Sequence, residues 1–190
     1  LNASGIVIGG CGIIIEKIYV TYENGSAEPY LISDVMILDY EQHGDHNADW
    51  DGSWGVPAEI VKEDGNAYIR TTGSGIGWIM NCNHQANYGE GYFPTLNFDN
   101  SVFKLDVKID GTPSIDPATT ALQVVLNGWQ WVDAGILPST TDGKWVTITI
   151  DCAALNLTGE YDLSTGDLGL AAGTDIGAGV AFDNMRLSLK

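Results

Sequence analysis

The stretch Phe103-Lys104-Leu105-Asp106-Val107-Lys108-Ile109 decides the reading of the chain. Its apolar residues occupy the odd positions and its charged residues the even ones. A strand sends successive side chains to opposite faces, so this period gives one buried face and one wet face, as in an antiparallel strand over a core. Ala121–Leu126, Trp145–Ile150 and Met185–Leu189 repeat the pattern, the last with Met185, Leu187 and Leu189 facing in. Upstream, Ala58–Lys62 and Ala67–Thr71 flank Glu63-Asp64-Gly65-Asn66, a hairpin signal. Val35–Leu38 and Ile76–Asn81 add two more apolar runs, and 4–23 reads as two β-runs joined by Gly9-Gly10-Cys11-Gly12. No segment sustains a 3.6-residue apolar period; the nearest, Ala153–Leu157, reads as a turn. Many short strands between Gly, Asp, Asn and Pro turns predict an all-β, antiparallel β-sandwich.

With 190 residues, 44% of them hydrophobic, the chain has material for one well-buried domain. The polar line Glu23–Pro29 separates an N-terminal β segment, 1–26, from the sandwich proper, 27–190. Acidic residues outnumber basic ones 25 to 8, a net charge of −17. That field repels nucleic-acid phosphate and anionic membranes, and it suits divalent cations, uncharged ligands and a setting outside the cell. No apolar run approaches the ~20 residues that span a bilayer. Cys11, Cys82 and Cys152 have no metal-site spacing and read as reduced, buried thiols. The chain opens at Leu1 without a leader, as a mature or excised fragment would.

Six tryptophans carry the functional signal. Trp145 begins a strand after Asp142-Gly143-Lys144 and reads as a packing residue. Trp129 and Trp131 follow Gln123, Val125 and Asn127 at period two, while Leu122, Val124 and Leu126 take the other face. Whether the strand runs through or Asn127-Gly128 turns a hairpin, both indoles share one face. Trp78 heads a segment dense in amides, including Asn81, Asn83 and Gln85. An open sheet face carrying indoles among amides suits sugars: the C–H face of a pyranose stacks on the ring, and Asn, Gln and Arg bond the hydroxyls. Two or three of Trp50, Trp54, Trp78, Trp129 and Trp131 are expected to form the platform, with Arg70, Asn81, Asn83, Gln85 and Gln123 reading hydroxyls.

Asp39–Gly55 (DYEQHGDHNADWDGSWG) combines carboxylates, two histidines and two tryptophans, and has no aliphatic run to bury. Asp39, Glu41, Asp45, Asp49 and Asp51 are hard oxygen donors for Ca2+, although their spacing is not that of an EF-hand. A calcium site would therefore draw on a distant segment, and Asp183-Asn184 before the last strand is the natural one. The alternative is that these residues are solvated turn and cap groups. His43 and His46 have no third neutral ligand nearby and no assigned role.

Catalysis finds little support: no GxSxG, no Cys–His pairing and no phosphate-loop spacing occurs, and no carboxylate sits in a plainly apolar setting. A β-sandwich glycoside hydrolase or lyase and a calcium-dependent adhesion module stand as alternatives to a non-catalytic binder.

Several ordered patterns carry a resemblance: Leu38-Asp39-Tyr40-Glu41, Trp50 through Trp54-Gly55, Tyr68-Ile69-Arg70-Thr71 before Gly77-Trp78, the Phe103–Ile109 strand, Gly143-Lys144-Trp145-Val146-Thr147-Ile148 and Phe182-Asp183-Asn184-Met185-Arg186-Leu187. Over residues 35–190 they resemble jelly-roll carbohydrate-binding modules, in particular the glycan-binding domains of Bacteroidetes cell-surface proteins and modular glycanases. The resemblance implies a non-catalytic module for a neutral plant-type polysaccharide such as xylan, xyloglucan or β-glucan, sited at the cell surface or outside it. It also implies a structural Ca2+ held by Asp39 or Glu41 with Asp183. Residues 1–26 depart from the pattern and read as edge strands or the tail of a preceding module.

Overall fold

Alternating sequence produces strands almost throughout. The computed structural model describes residues 18–21, 27–30, 34–40, 55–82, 95–126, 130–162 and 168–190. The chain forms two compact units, Leu1–Ser33 and Asp34–Lys190. In the first, β1 (Ile18–Thr21) and β2 (Ala27–Tyr30) make an antiparallel pair.

The second unit is the expected antiparallel sandwich. Its six-stranded sheet contains β3 (Asp34–Leu38), β4 (Ala58–Glu63), β5 (Asn66–Thr71), β8 (Ser101–Ile109), β11 (Val146–Asp151) and β14 (Val180–Leu189). Its four-stranded sheet contains β6 (Gly75–Cys82), β9 (Ala121–Leu126), β10 (Gln130–Ile136) and β13 (Leu168–Ile176), in the order β10-β9-β13-β6. Short β7 (Thr95–Asn97) and β12 (Glu160–Asp162) pair separately. The turn at Ala153–Leu157 is a turn, tied by Leu155 and Leu157 N–H groups to the Cys152 carbonyl. A 3-10 turn, Pro117–Thr119, is capped by the Asp116 carboxylate.

The strand read first is central. Phe103, Leu105, Val107 and Ile109 are buried, while Lys104, Asp106 and Lys108 stand on the other face. β14 runs along β8 on one edge; its other edge is shared, Ala181 and Phe182 pairing with β5 and Met185–Ser188 with β3. One core fills the space between the sheets, with Phe103, Leu105 and Phe182 from one side and Leu122, Val124 and Leu170 from the other. Leu189 departs from expectation. It is 47% exposed, because it ends β14 beyond the rim of the core, whereas Met185 and Leu187 are buried as expected.

The wet face of the six-stranded sheet is tied by charge. Arg186 donates two bonds to the Asp106 carboxylate at 3.1 and 3.2 Å and lies 3.7 Å from Asp34. The Ser188 hydroxyl, then Lys104 and Arg186, hold the Asp34 carboxyl below the usual range. Cys152 is a free, buried thiol, and burial pushes it up to about 11, in keeping with an inert core position.

Candidate functional site

The outer face of the four-stranded sheet is built by one irregularity. In β6, Met80 pairs with Leu170 and Trp78 with Ala171, so Ile79 is an extra residue between two consecutive partners. Without that bulge Trp78 and Met80 would share a face. With it, Ile79 and Met80 both enter the main core and Trp78 turns outward. A bulge that re-aims one side chain in this way is common beside binding sites.

Trp78 lies on Val125 and Ala171, a small apolar cluster on the far side of the sheet from the core. Trp131, cross-strand partner of Val125, leans over it with ring centroids 5.7 Å apart and planes at 51°. The pair divides the work of a platform. Trp78 is 5% exposed and forms the support, and Trp131 is 38% exposed and forms the open surface. Trp78 is thus not the exposed ring its polar neighbours suggested; the small Ala171 beneath it and the indole above it close it off.

Polar groups adjoin the ring. Gln123 donates from Nε2 to Asp133 Oδ1 at 2.9 Å, two pairings further along β9 and β10 than Trp131. Opposite, β13 contributes only small residues to this face, Gly169, Ala171 and Gly173. A Cβ at Gly173 would lie 2.7 Å from Gln123 Cδ, so glycine is what lets the amide lie down across the strand. Ile76 and Ile136, at the other end of the sheet, add exposed apolar surface on the same side.

Of the residues expected to bind a ligand, the structure brings together Trp78, Trp131 and Gln123. Asn81 stands opposite Gly169 in the backbone register of the same sheet. Trp50, Trp54, Asn83, Gln85 and Trp129 lie outside the described residues, but Gly55, directly after Trp54, forms a parallel bridge with Trp78, and the Val56 N–H donates to the Trp78 carbonyl at 2.8 Å. Arg70 is not with them. It stands on β5 in the six-stranded sheet, where Glu59 accepts from its guanidinium at 2.6 Å and raises its pKa. The sequence made Arg70 a hydroxyl reader, with no strand pairing to say which of the two sheets carries it.

Trp145 also differs from its reading as a packing residue. It is 37% exposed, precedes β11, and meets Tyr68 edge-on at 5.2 Å. For the metal set, Asp39 follows β3 directly and Asp183 belongs to β14, the strand that β3 pairs with. Asp183 is 2% exposed and accepts from Asn66 Nδ2 at 3.1 Å and from the Asn184 N–H at 2.7 Å. Glu41 lies outside the described residues. Among the described residues no three His, Cys, Asp or Glu side chains are grouped to hold a metal.

Sequence reasoning missed Asp133, Gly173, Ile76 and Ile136. The Asp133 contact depends on strand register, and the run Ala171-Ala172-Gly173 was the one sequence hint of a cleared strand.

Against known families, residues 30–188 match the surface glycan-binding protein B xyloglucan binding domain. The chain belongs to this family. Membership in a surface glycan-binding family makes it a carbohydrate-binding module, without catalysis, in agreement with the resemblance read from the sequence. Among solved structures, the family 30 carbohydrate-binding module of a Clostridium thermocellum cellulosomal cellulase is 14% identical over 83% of this chain and 98% of that one, with a TM-score of 0.46. A module described as specific for non-crystalline cellulose is 15% identical over 71% and 83%, at 0.39. The Caldicellulosiruptor saccharolyticus CBM27-1, solved with mannohexaose, is 12% identical over 82% and 96%, at 0.41. No curated protein sequence matches the chain significantly.

Proposed function

We propose that this glycan-binding domain holds a neutral, xyloglucan-like β-glucan against the outer face of its four-stranded sheet, at or outside the cell surface. The observation that carries the reading is Trp131, an exposed indole braced by a buried one on an open sheet face. A pyranose stacks its apolar face on Trp131, and its hydroxyls bond to the Gln123–Asp133 pair. The face is open along the strands and small along β13, so it suits the interior of a chain. The net charge of −17 disfavours polyuronates. Affinity is expected in the range of roughly micromolar to millimolar, because each sugar contact replaces a good contact with water.

Affinity electrophoresis against xyloglucan, mixed-linkage β-glucan, xylan and polygalacturonate tests this. Retardation is expected in the neutral gels, strongest with xyloglucan, and none in polygalacturonate. Free migration in every neutral gel overturns the reading.

We also propose that Asp39, Glu41 and Asp183 hold a structural Ca2+. The pairing of β3 with β14 supports it, since Leu38 stands opposite Met185 and the two aspartates lie just beyond those residues. A ligand bound only by the folded state raises the melting temperature, so chelation should lower it by several degrees. An unchanged melting curve in chelator removes the metal.

A further inference from the structure

The six-stranded sheet carries a second concavity on its outer face, on the opposite sheet from the platform strands β9, β10 and β13. It encloses about 470 Å3 and is lined by Glu63, Asp64, Asn66, Tyr68, Asp106, Trp145, Asp183 and Asn184. That volume lies within the range of small-ligand sites, ~300–1,000 Å3. The β4–β5 hairpin turn forms one wall, with Asp64 and Gly65 both in the left-handed region (φ 53° and 85°). Trp145 forms the opposite wall, and β8 and β14 lie between.

Two features give this concavity a ligand chemistry. Its aromatic wall is fixed: Trp145 meets Tyr68 edge-on, and the Lys108 ammonium lies 4.9 Å and 5.2 Å from the two ring centroids. Its carboxylates are already oriented. Glu63 accepts from the Tyr68 hydroxyl at 3.0 Å, and Asp106 from Thr147 at 2.6 Å and from Arg186. Carboxylates held by neutral donors or by Arg186 are pre-arranged acceptors, and each oxygen can take more than one donor. An acceptor-rich cavity beside an exposed indole selects a ligand that offers several hydroxyl donors and an apolar ring face, and it repels anions.

We propose that this concavity is a second saccharide site, one ring deep, which takes a neutral sugar residue at a chain end or side branch. It differs from the platform in shape. The platform is open along the sheet and holds chain interior, whereas the hairpin turn and Trp145 close this cavity on two sides.

The test uses Trp131→Ala as background and 15N-labelled protein titrated with xyloglucan oligosaccharides. The Trp145 indole N–H resonance is expected to shift and saturate in the millimolar range, and Trp145→Ala or Glu63→Gln should weaken this binding at least fivefold. Glu63→Gln keeps the size of an exposed side chain, so its folded spectrum guards against loss of structure in the tryptophan variant. A Trp145 resonance that stays still at saturating ligand, or a Glu63→Gln titration identical to its parent, overturns the proposal. Failure here leaves platform binding in the wild-type protein intact, so the two readings fall separately.

Discussion

Replacing Trp131 with alanine is expected to lower the affinity for xyloglucan at least tenfold, with the melting temperature changed by only a few degrees. The indole is 38% exposed and its stacking surface faces outward, so most of what it contributes is realised only when a sugar lies on it. Tenfold corresponds to about 1.4 kcal/mol, a modest return for one aromatic–sugar contact. The loss should be incomplete, because removing Trp131 uncovers Trp78. That second ring is tilted by 51° from the first and rests on Val125 and Ala171, so it presents a poorer surface. Trp78→Ala together with Trp131→Ala should therefore reduce retardation in the gel to that of the weaker site beside Trp145. Calorimetric titration of both variants checks this, and a Trp131→Ala protein that binds as tightly as wild type would sink the platform.

Phe103→Ala is expected to be the most damaging single change to the fold. Phe103 is 1% exposed, lies in the central strand β8, and contacts Phe98 at a ring separation of 5.7 Å. Truncating a buried phenylalanine costs about 3–5 kcal/mol, against a typical total stability of about 5–15 kcal/mol. For a domain of this size each kcal/mol moves the melting temperature by about 2–4 °C, so a drop of ~6–20 °C is expected by calorimetry. Thr149→Ala, an exposed position paired with Lys104 on the same pair of strands, should stay within ~0.5 kcal/mol and serves as the control. A Phe103→Ala protein melting within two degrees of wild type would contradict the core assignment.

The two expected outcomes differ in how legible their residues were. Phe103 could be placed from sequence alone, because strict alternation over Phe103–Ile109 leaves no other face for the ring. The same logic put Trp131 on the face away from Leu122, Val124 and Leu126 and made it a ligand residue. It failed at Trp78. There the alternation is interrupted by one residue, Ile79, and nothing in Gly77-Trp78-Ile79-Met80 announces the bulge; it exists because Leu170 and Ala171 take Met80 and Trp78 as successive partners. Arg70 shows a second limit. A period of two says which residues point outward from a sheet, but a sandwich has two outward faces, and the assignment of Arg70 to the sheet with Glu59 and not Gln123 follows only from strand pairing. The Gln123–Asp133 contact has the same origin, since its partners meet through the register of β9 with β10.

The parallel bridge between Gly55 and Trp78 has a mechanical consequence. It ties the backbone at Gly55 to the strand that carries the inner indole, and the Val56 N–H donates to the Trp78 carbonyl beside it. A change that shifts this bridge moves the indole pair with it, so Gly55 and Trp78 are held under one constraint.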